Sequence, residues 1–387
     1  MFYILNSSYS PNTAVTNRML AYIKGLSELR IDTTVVFFFP DDNRSTIQQE
    51  YPHITFQYMW AKDRPCGRAL RGVRYVKYIF QLFRQLKKGD NVYLYNMEDV
   101  MAILLWKKGI NIYAERGEHP QIYPLGSPIY RPSIKRYFKQ ISKIDGLFVI
   151  SQALKRYYVE NGMPEEKVHV INIIVDPSRF DNITENGQHE DYIAYCGTAS
   201  NNKDGVDELI KAFAITSVTH PSIKLYIIGK TPSKNDESKN LQLIDQLGIK
   251  DKIVFTGIVK AEEMPAILTK AKILALDRPD NIQAKYGFPT KLGEYLLTKK
   301  PVVITRVGDI PLFLRDNYNA FIARPEDSTD FAKKLNYVLD NYQEALEVGT
   351  RGFELALQEF NYLTETRKMV GHIANILKQI DNNDKNQ

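Results

Sequence analysis

Residues 285–304, K-Y-G-F-P-T-K-L-G-E-Y-L-L-T-K-K-P-V-V-I, predict a loop, a short helix and a buried strand. Pro289 suits the first turn of this helix and Thr290 suits its cap. A helix start presents unpaired N–H groups and the positive end of the helix dipole, which together favour phosphate. Gly287 keeps a side chain out of the ligand's approach, and Lys291 adds a full positive charge. The stretch therefore predicts an α/β junction that binds an anion.

The helix in this stretch has a polar side and an apolar side. Glu294 lies one turn inside it, where a carboxylate can accept hydrogen bonds from two sugar hydroxyls. Leu292, Tyr295 and Leu296 occupy the side that packs. An ordinary capped helix at an α/β junction has the same features, because helix-start sites are common in α/β folds. From these residues alone, both interpretations stay open.

Short apolar runs alternate with amphipathic stretches along the whole chain. The runs that predict buried parallel strands are F-Y-I-L, T-V-V-F-F-F, N-V-Y-L-Y, N-I-Y-A, L-F-V-I, Y-I-A-Y-C, I-K-L-Y-I-I-G, K-I-V-F, K-I-L-A-L, P-V-V-I-T and A-F-I-A. Strands that alternate with helices predict an α/β fold with doubly wound parallel sheets. A chain of 387 residues with 44% hydrophobic content is long enough for two such domains.

The polar stretch Asp176–Asp191 has no periodicity and predicts the linker between the domains. We therefore expect a first domain over residues 1–180, a second over 190–360 and a final helix over 361–387. The first 180 residues carry 25 Lys and Arg against 16 Asp and Glu, a net charge of +9 in a chain of net +6. This imbalance predicts that the first domain faces an anionic surface or ligand.

The residue order in 285–304 resembles the donor-binding segment of family 4 retaining glycosyltransferases, which belong to the glycosyl transferases of group 1. In that family a Gly-Phe loop precedes a helix, two Glu residues stand eight apart and a P-V-V strand follows. The later Glu falls on Glu294, whereas Tyr286 occupies the position of the earlier one. The resemblance implies the GT-B architecture, with two Rossmann-like domains facing each other across a cleft and the last helix returning to the first.

A second segment supports the resemblance. This segment is Y-C-G-T-A-S-N-N-K-D-G-V-D-E-L-I-K-A-F, in which a strand ends at Cys196, a polar loop follows and a helix begins near Gly205. A loop between a strand and a helix start can bind phosphate, although the segment lacks the Walker A motif. Gly197 and Lys203 match the family, and Thr198 stands where many members carry Arg. The alternative interpretation of Lys203 is a surface Lys in a turn.

The resemblance implies a nucleotide-sugar site in the second domain. Its predicted members are Gly197, Thr198, Lys203, Val254, Phe255, Tyr286, Gly287, Phe288, Thr290, Lys291, Leu292 and Glu294. Lys203, Lys291 and the helix start would hold the diphosphate, and Glu294 the ribose. The backbone around Val254 and Phe255 would contact the base, although a core strand explains both residues equally well. Asp280, Gln283 and Lys285 are candidates for contacts with the donor sugar.

The first domain is predicted to bind the acceptor. Its strand N-I-Y-A runs into E-R-G-E-H-P, where family members often place a catalytic-site His; His119 is the candidate, with Glu118 and Glu115 orienting it or binding acceptor hydroxyls. Lys203 completes the predicted catalytic group by stabilising the leaving group. A surface His in a turn is the alternative for His119. Asn12 and Thr13 are weaker candidates for lining the cleft.

Residues 64–88 carry eight basic residues and no acidic one. Leu70, Val73, Val76, Phe80, Phe83 and Leu86 have roughly helical spacing in this segment. One interpretation is a basic amphipathic helix on an anionic membrane. The other is a crossover helix that packs with its apolar face and has a solvated basic face.

The resemblance implies a retaining glycosyltransferase that moves a sugar from a nucleotide-diphosphate sugar to a glycan or lipid-linked acceptor, in the synthesis of surface polysaccharide or glycoconjugate. No enzyme nucleophile is then required. No D-x-D motif is present, so we expect no cofactor and no metal. The alternatives are a GT-B sugar-nucleotide epimerase and a non-catalytic partner subunit. A nicotinamide dehydrogenase is disfavoured by the lack of G-x-G-x-x-G, and no motif accompanies the basic charge that would indicate nucleic-acid binding.

Location is predicted from what the sequence lacks. It has no apolar run long enough to cross a membrane, and its start has neither the basic region nor the cleavage site of a signal peptide. Cys66 and Cys196 lie far apart and suit a reduced compartment. We expect a cytoplasmic protein, either free or peripheral on the inner face of the membrane.

Overall fold

The computed structural model describes residues 1–6, 9, 13–38, 47, 50–59, 68–95, 97–122, 132–181, 183, 191–230 and 233–385. The chain divides into two compact units. Unit 1 consists of Met1–Asn172 and Tyr362–Gln387, and unit 2 of Ile173–Asn361. Within the described residues, each unit contains one parallel sheet and the helices that connect its strands.

The sheet of unit 1 has seven strands in the described residues, in the order β3-β2-β1-β4-β5-β6-β7. They are β1 (Phe2–Asn6), β2 (Thr33–Phe37), β3 (Ile54–Tyr58), β4 (Asn91–Tyr95), β5 (Asn111–Arg116), β6 (Gly146–Val149) and β7 (Val168–Val170). Sequence reasoning missed β3 and β7, which lie at the two edges of the sheet. β3 has no fully buried residue, and β7 is three residues long, so neither forms a clear apolar run.

The sheet of unit 2 has six strands in the order β10-β9-β8-β11-β12-β13. They are β8 (Tyr192–Cys196), β9 (Lys224–Ile228), β10 (Ile253–Gly257), β11 (Ile273–Leu276), β12 (Val302–Thr305) and β13 (Phe321–Ala323). Each coincides with a predicted strand. The three strands β11, β12 and β13 are wholly buried and β8 almost so, which is why continuous apolar runs reveal them.

Helices connect these strands. Those that precede unit 2 are α1 (Ala14–Glu28), α2 (Arg68–Gln85), α3 (Glu98–Leu104), α4 (Ile134–Ile141) and α5 (Gln152–Glu160). Those of unit 2 are α6 (Asn201–Asp204), α7 (Val206–Thr219), α8 (Lys234–Leu247), α9 (Met264–Lys270), α10 (Ile282–Tyr286), α11 (Thr290–Leu297), α12 (Ile310–Phe313), α13 (Ser328–Asp340) and α14 (Tyr342–Glu359). The last helix is α15 (Tyr362–Lys385), and three short 3₁₀ turns cover Glu165–Lys167, Pro177–Phe180 and Lys250–Lys252.

The first boundary between the units falls at Asn172/Ile173, upstream of the linker predicted at Asp176–Asp191. The physical reason is packing. Ile173 and Val175 are buried, and the Val175 amide donates to the Phe360 carbonyl at 2.8 Å. Val175 also lies against Gly293, where a Cβ would overlap its side chain. The chain is therefore part of the core of unit 2 before it reaches the polar stretch.

The second boundary falls at Asn361/Tyr362, so α15 belongs to unit 1. Tyr362 donates to Glu28 of α1 at 2.6 Å, and Glu365 accepts from the Asn172 amide at 2.8 Å. α1 makes room for α15 at Gly25, where a Cβ would overlap the Thr366 side chain. The terminal helix therefore completes the N-terminal core.

The face of α2 that packs is formed mostly by residues outside the apolar spacing noted in the sequence. Tyr75, Ile79 and Leu82 are 4%, 1% and 0% exposed and form the packing face. Of the six predicted residues, Leu86 is buried and Phe83 half-buried, and the other four, Leu70, Val73, Val76 and Phe80, are exposed. The crossover interpretation required these six residues to pack, and for Leu70, Val73, Val76 and Phe80 this is wrong, because a second apolar stripe of α2 forms the packing face. The membrane interpretation stays a prediction. Residues 64–67 of the predicted segment lie outside the described residues.

Candidate functional site

Loops at the carboxyl ends of β8 and β11 meet in unit 2. α6 follows β8 after a short loop and ends at Gly205, which has a left-handed conformation with φ of 58°. A Cβ at Gly205 would overlap the Asp277 carbonyl oxygen just beyond β11. Glycine is therefore required here by both the turn and the close approach of the two loops. This is the edge of a parallel sheet at which ligand loops gather.

Lys291 lies at the centre of this edge. Its ammonium nitrogen donates to Asp204 Oδ2 at 2.6 Å and to the Tyr195 hydroxyl at 3.2 Å. The same nitrogen stands 4.6 Å from the centroid of the Tyr195 ring. Tyr195 in turn donates to Asp204 at 2.7 Å, and its hydroxyl lies 2.7 Å from the Thr198 carbonyl. A buried network thus holds Lys291 beside the loop after β8.

The charges in this network stabilise one another. Burial by itself lowers the pKa of Lys291 and would raise that of Asp204. The Lys291 ammonium, the Tyr195 hydrogen bond and the Arg278 guanidinium outweigh burial and hold the pKa of Asp204 below its ordinary value. Asp204 is therefore a carboxylate at neutral pH, and Lys291 is its charged partner.

Lys203 is the second cation of this edge. Its positive charge lowers the pKa of Lys291, so the two ammonium groups are within electrostatic range of each other. Lys203 is half-buried, and no carboxylate of the described residues forms an ion pair with it. Lys203 thus adds a positive charge that the ion pair of Lys291 with Asp204 does not neutralise, and this favours an anionic ligand such as a diphosphate.

Gly197 allows Lys291 to reach this position. Its φ is 151°, and a Cβ there would overlap the Lys291 ammonium group. Its carbonyl oxygen also approaches Gly229 so closely that a Cβ at Gly229 would overlap it. A glycine is therefore needed at position 197, because any side chain there would displace the Lys291 ammonium group.

Glu294 forms an ion pair that the sequence did not reveal. Its Oε1 accepts a hydrogen bond from Arg179 Nη1, and Arg179 Nη2 also donates to the Ala261 carbonyl at 3.3 Å. The two side chains are 23% and 29% exposed. Glu294, Arg179 and Lys291 all act on the pKa of the buried Cys196 thiol, which burial raises to about 12. The pair therefore lies near the loop after β8, on the same side as Lys291.

The start of α11 differs in detail from its prediction. Pro289 occupies the capping position and Thr290 is the first helical residue, so Thr290 is not the cap. No side chain caps this helix start among the described residues. Gly287 has φ of −89°, a conformation open to any residue. The Leu292 amide donates to the Pro289 carbonyl at 3.0 Å, whereas no side chain occupies the amides of Thr290 and Lys291, which the phosphate-site interpretation would use.

Two predicted site residues have buried side chains. Phe288 packs against Phe313 and Phe360, with ring centroids 5.5 and 5.8 Å away, and Leu292 is fully buried. Only their backbone atoms are open to contact with a ligand. Tyr295, also buried, accepts a hydrogen bond from the Cys196 amide at 2.6 Å and so joins α11 to β8. These residues position the site rather than line it.

The remaining predicted donor-site residues are more exposed. Thr198 is exposed, Tyr286 and Val254 are half-buried, and Phe255 is 42% exposed on the edge strand β10. The Lys285 ammonium lies 5.5 Å from the centroid of the Tyr286 ring. The exposure of Phe255 removes the core-strand interpretation for that residue.

In unit 1, His119 is buried rather than exposed in a turn. It is 3% exposed and packs against the Tyr157 ring in a tilted arrangement, with ring centroids 4.2 Å apart. Its Nδ1 accepts from the Gln121 amide at 3.2 Å, and burial lowers its pKa. The ring is therefore neutral at pH 7, with the proton assigned to Nε2. Glu118 lies next to it in the chain at the same strand end.

Two other acceptor-side candidates have structural partners. Glu115 accepts hydrogen bonds from Arg18 and Tyr93 inside the core, which rules out the predicted role in orienting His119 or binding hydroxyls. The Thr13 hydroxyl accepts from the Thr16 amide at 3.2 Å and caps α1. The prediction for Asn12 lies outside the described residues. No three His, Cys, Asp or Glu side chains are grouped for metal binding in the part of the chain that the structure describes.

Sequence reasoning missed Asp204, Tyr195 and Arg179. Asp204 adjoins Lys203 and Tyr195 precedes Cys196, so both lie in a segment that had already been singled out. A buried lysine such as Lys291 needs a carboxylate partner, and this requirement would have pointed to an acid nearby. Arg179 carried no such signal, because it lies in the stretch assigned to a linker.

Comparison with known proteins agrees with this geometry. Residues 190–341 match the family model described as Glycosyl transferases group 1. The structure of HepE from Anabaena in complex with UDP is 18% identical, covers 97% of this chain and 99% of its own, and has a TM-score of 0.71. A glycosyltransferase from Rickettsia africae ESF-5 is 16% identical over 97% and 98% of the two chains, with a TM-score of 0.73.

A third similar structure is sucrose-phosphate synthase from Thermosynechococcus elongatus, which is 13% identical over 98% and 99% of the two chains with a TM-score of 0.73. No match was found among curated protein sequences. These similarities show that the chain has the GT-B fold, and that its residues 190–341 match the group 1 family model. The predicted GT-B fold is confirmed, and the segment that matches the group 1 family model, 190–341, contains Lys203, Lys291 and Glu294.

Proposed function

We propose that this protein is a retaining glycosyltransferase that uses a nucleotide-diphosphate sugar as donor and a glycan or a lipid-linked molecule as acceptor, in the synthesis of surface polysaccharide or glycoconjugate. The observation that carries the proposal is the arrangement of Lys203 and Lys291 beside Gly197 and the uncapped start of α11. Two cations and free N–H groups suit a diphosphate, whose negative charge grows as the sugar leaves.

In the proposed step, the acceptor hydroxyl oxygen bonds to the anomeric carbon on the face from which the nucleotide diphosphate departs. The bond from that carbon to the β-phosphate oxygen breaks, and this oxygen takes the proton of the acceptor hydroxyl. Configuration is retained without an enzyme nucleophile. Lys203 and Lys291 stabilise the departing phosphate, and no metal ion or cofactor is invoked.

Asp204 acts in this proposal by positioning Lys291. An ammonium group has three donors, and two of them contact Asp204 and Tyr195. The third is left for a phosphate oxygen. The 2.6 Å contact with Asp204 limits the rotation of the lysine side chain, so less entropy is lost when the donor binds.

Glu294 is proposed to bind the ribose hydroxyls. Its partner Arg179 satisfies the carboxylate without a ligand, and both side chains are partly exposed. A ribose diol would donate hydrogen bonds to the carboxylate in place of Arg179. Because a partly exposed ion pair contributes little free energy, the loss of the contact with Arg179 costs little. On the acceptor side, His119 and Glu118 remain the proposed catalytic residues, with a neutral imidazole as hydrogen-bond donor through Nε2.

The test is a panel of nucleotide sugars, first by thermal stabilisation and then by release of nucleotide diphosphate. HepE has been solved with UDP and with UDP-glucose, so UDP-hexoses head the panel and GDP-sugars follow. A donor at 100 times its Kd should stabilise the native state by about 2.7 kcal/mol. Retention is checked by the anomeric configuration of the product, and EDTA should leave the rate unchanged.

The outcomes separate the three candidate functions. Nucleotide release that rises when acceptor is added supports glycosyl transfer. A new hexose or altered nucleotide sugar formed without any acceptor indicates an epimerase instead. If a donor stabilises the protein but is neither transferred nor slowly hydrolysed, the protein is a non-catalytic subunit. If no nucleotide sugar stabilises the protein, the proposed donor site is contradicted.

A further inference from the structure

α2 presents an apolar stripe on the side away from its packing face. Val73, Val76 and Phe80 are 66%, 38% and 53% exposed and follow the i, i+3, i+7 spacing of one helix face. Leu70, one turn earlier, is 47% exposed. Isolated exposed apolar residues are common, but a continuous stripe on one helix indicates a surface that binds something.

Basic side chains border this stripe. Lys77 lies four residues after Val73, and Arg84 lies four residues after Phe80, so each stands beside an apolar residue on the helix surface. Both are exposed, as are Lys87 and Lys88 just beyond the helix. A long basic side chain can extend its charge away from an apolar face that its stem covers.

Trp106 follows α3 and is next in the chain to a residue that contacts α2. It is 86% exposed, the most exposed large apolar side chain in the described residues. The neighbouring Lys107 donates to the Phe83 carbonyl, and its ammonium lies 4.6 Å from the centroid of the Phe83 ring. These contacts hold the loop that carries Trp106 against the C-terminal part of α2. The exposed tryptophan is therefore held in place rather than located in an unattached loop.

The exposed charge of this region has one sign. Residues 68–95 and 97–110 contain three carboxylates, on Asp90, Glu98 and Asp99, and all three are buried. Asp90 and Asp99 have partners inside the fold, the Lys87 amide and the Tyr75 hydroxyl. The described residues of this segment consequently expose apolar and basic side chains and no acidic one.

We propose that this region docks the protein on an anionic lipid bilayer. The α2 surface consists of the apolar Leu70, Val73, Val76, Phe80 and Trp106 and the basic Lys77, Arg84, Lys87, Lys88 and Lys108. Its charge complements anionic head groups, and its apolar stripe enters the head-group region, where tryptophan is favoured. None of the helices in the described residues is both long and apolar enough to cross a bilayer. The contact is therefore made by this surface lying on the lipid.

The bilayer accounts for both properties of the α2 surface. A nucleic acid would use the cations but not the aliphatic side chains of Val73, Val76 and Leu70. A folded protein partner would need acidic groups placed opposite five separate cations, whereas a bilayer supplies negative charge wherever the protein contacts it. The inference does not rest on the donor site, which lies in the other unit.

The experiment is flotation of the full chain with vesicles, using equal parts of phosphatidylglycerol and phosphatidylcholine against phosphatidylcholine alone. We expect binding to the anionic vesicles only, and weaker binding as salt rises. The double variant Phe80→Ser/Trp106→Ser should bind at least about tenfold more weakly, because two buried aromatic groups are lost. Lys77→Gln and Arg84→Gln should each weaken binding about fivefold.

The matched control is Val218→Ser, which removes a side chain that is 81% exposed in unit 2 and should bind like the parent. Thermal unfolding checks that all variants are folded, and stabilisation by nucleotide sugar should be the same in each. Equal binding to neutral vesicles, no binding to either, or an equal loss in Val218→Ser would overturn the proposal. A parent chain that dimerises through the α2 surface, with Phe80→Ser monomeric and neither bound to lipid, would overturn it as well.

Discussion

Glu115 in unit 1 and Glu294 in unit 2 both accept a hydrogen bond from an arginine, yet their surroundings differ. The Arg18 and Glu115 side chains are 5% and 2% exposed, whereas those of Arg179 and Glu294 are 29% and 23% exposed. Arg18 also donates to the carbonyls of Asn172 and Ile171 and to the Tyr22 hydroxyl. The first pair has its hydrogen-bonding capacity filled by the core, and the second keeps an open side.

The difference separates structural ion pairs from those available to ligands. A buried pair whose members are fully hydrogen-bonded cannot exchange partners without leaving a charge uncompensated. A partly exposed pair can, since water or a ligand replaces the lost contact at small cost. Lys291 and Asp204 lie between these extremes, with side chains 16% and 2% exposed. There the acid is enclosed and the lysine reaches the edge of the site.

The largest expected effect follows from breaking the enclosed pair. Glu115→Gln leaves the Arg18 guanidinium in the core without its counter-charge, so we expect the free energy of unfolding to fall by about 3–5 kcal/mol. Urea unfolding measures this change. The control is Glu165→Gln, whose partner Lys155 is 3.6 Å away and whose side chain is 73% exposed; it should lose less than about 1 kcal/mol. Equal losses of stability in the two variants would contradict the difference between the buried and the exposed ion pair.

The second-largest effect is expected at Lys203, for which no ion pair exists in the part of the chain that the structure describes. Lys203→Ala should lower kcat for sugar transfer by about 10²–10³, the range for loss of one charge-stabilising group, with unfolding nearly unchanged. Steady-state nucleotide release measures it. Lys250→Ala, at a side chain 81% exposed, is the matched control and should keep the parent rate. Parent-like transfer by Lys203→Ala would remove this lysine from the site.

A smaller effect is expected at the open pair. Glu294→Gln keeps the shape of the side chain but weakens its hydrogen bonds to ribose, so donor KM should rise about tenfold and stability should change by less than about 1 kcal/mol. Glu354→Gln, an exposed position on α14, serves as control. If Glu294→Gln lost as much stability as Glu115→Gln and left KM unaltered, Glu294 would belong to a structural ion pair rather than to the donor site.

The smallest expected effect is the loss of stability at low pH that His169 causes. His169 stacks on His372 with ring centroids 4.1 Å apart, and burial, followed by the His372 and Lys155 charges, lowers its pKa to about 4. A histidine with a depressed native pKa is protonated first in the unfolded chain, so stability falls as pH drops from about 6.5 to about 4. The Asp204 carboxylate, with a pKa below its ordinary 3.8, is not titrated in that window.

The measurement is thermal unfolding at pH 7 and pH 4.5. The variant His169→Phe keeps a ring between Phe148 and His372 but carries no titratable group. The parent Tm should drop further than that of the variant by roughly 2–4 °C, as expected for about 1 kcal/mol in a chain of this size. Parallel pH curves for the two proteins would show that this pair of rings contributes nothing to acid sensitivity.

Sequence reasoning recovered the strands that are continuous apolar runs and the two segments that form the candidate site. Gly197, Lys203, Lys291 and Glu294 all lie near one sheet edge, because a loop after a parallel strand always emerges at the carboxyl end. It missed β3 and β7, whose mixed burial leaves no period to detect. It also misassigned Glu115, since a charge at a strand end looks the same whether the core or the solvent receives it.

The order of apolar runs, turn residues and capped helices determined the α/β class of this protein, its two sheets and the position of the helix start at which we propose an anion site. Those features depend on residues near each other in the chain, where periodicity and backbone chemistry act. Only the tertiary structure decided which charges pair, which face of α2 the core covers and where Arg179 lies. These depend on which distant segments exclude water from each other, and local sequence does not encode that proximity.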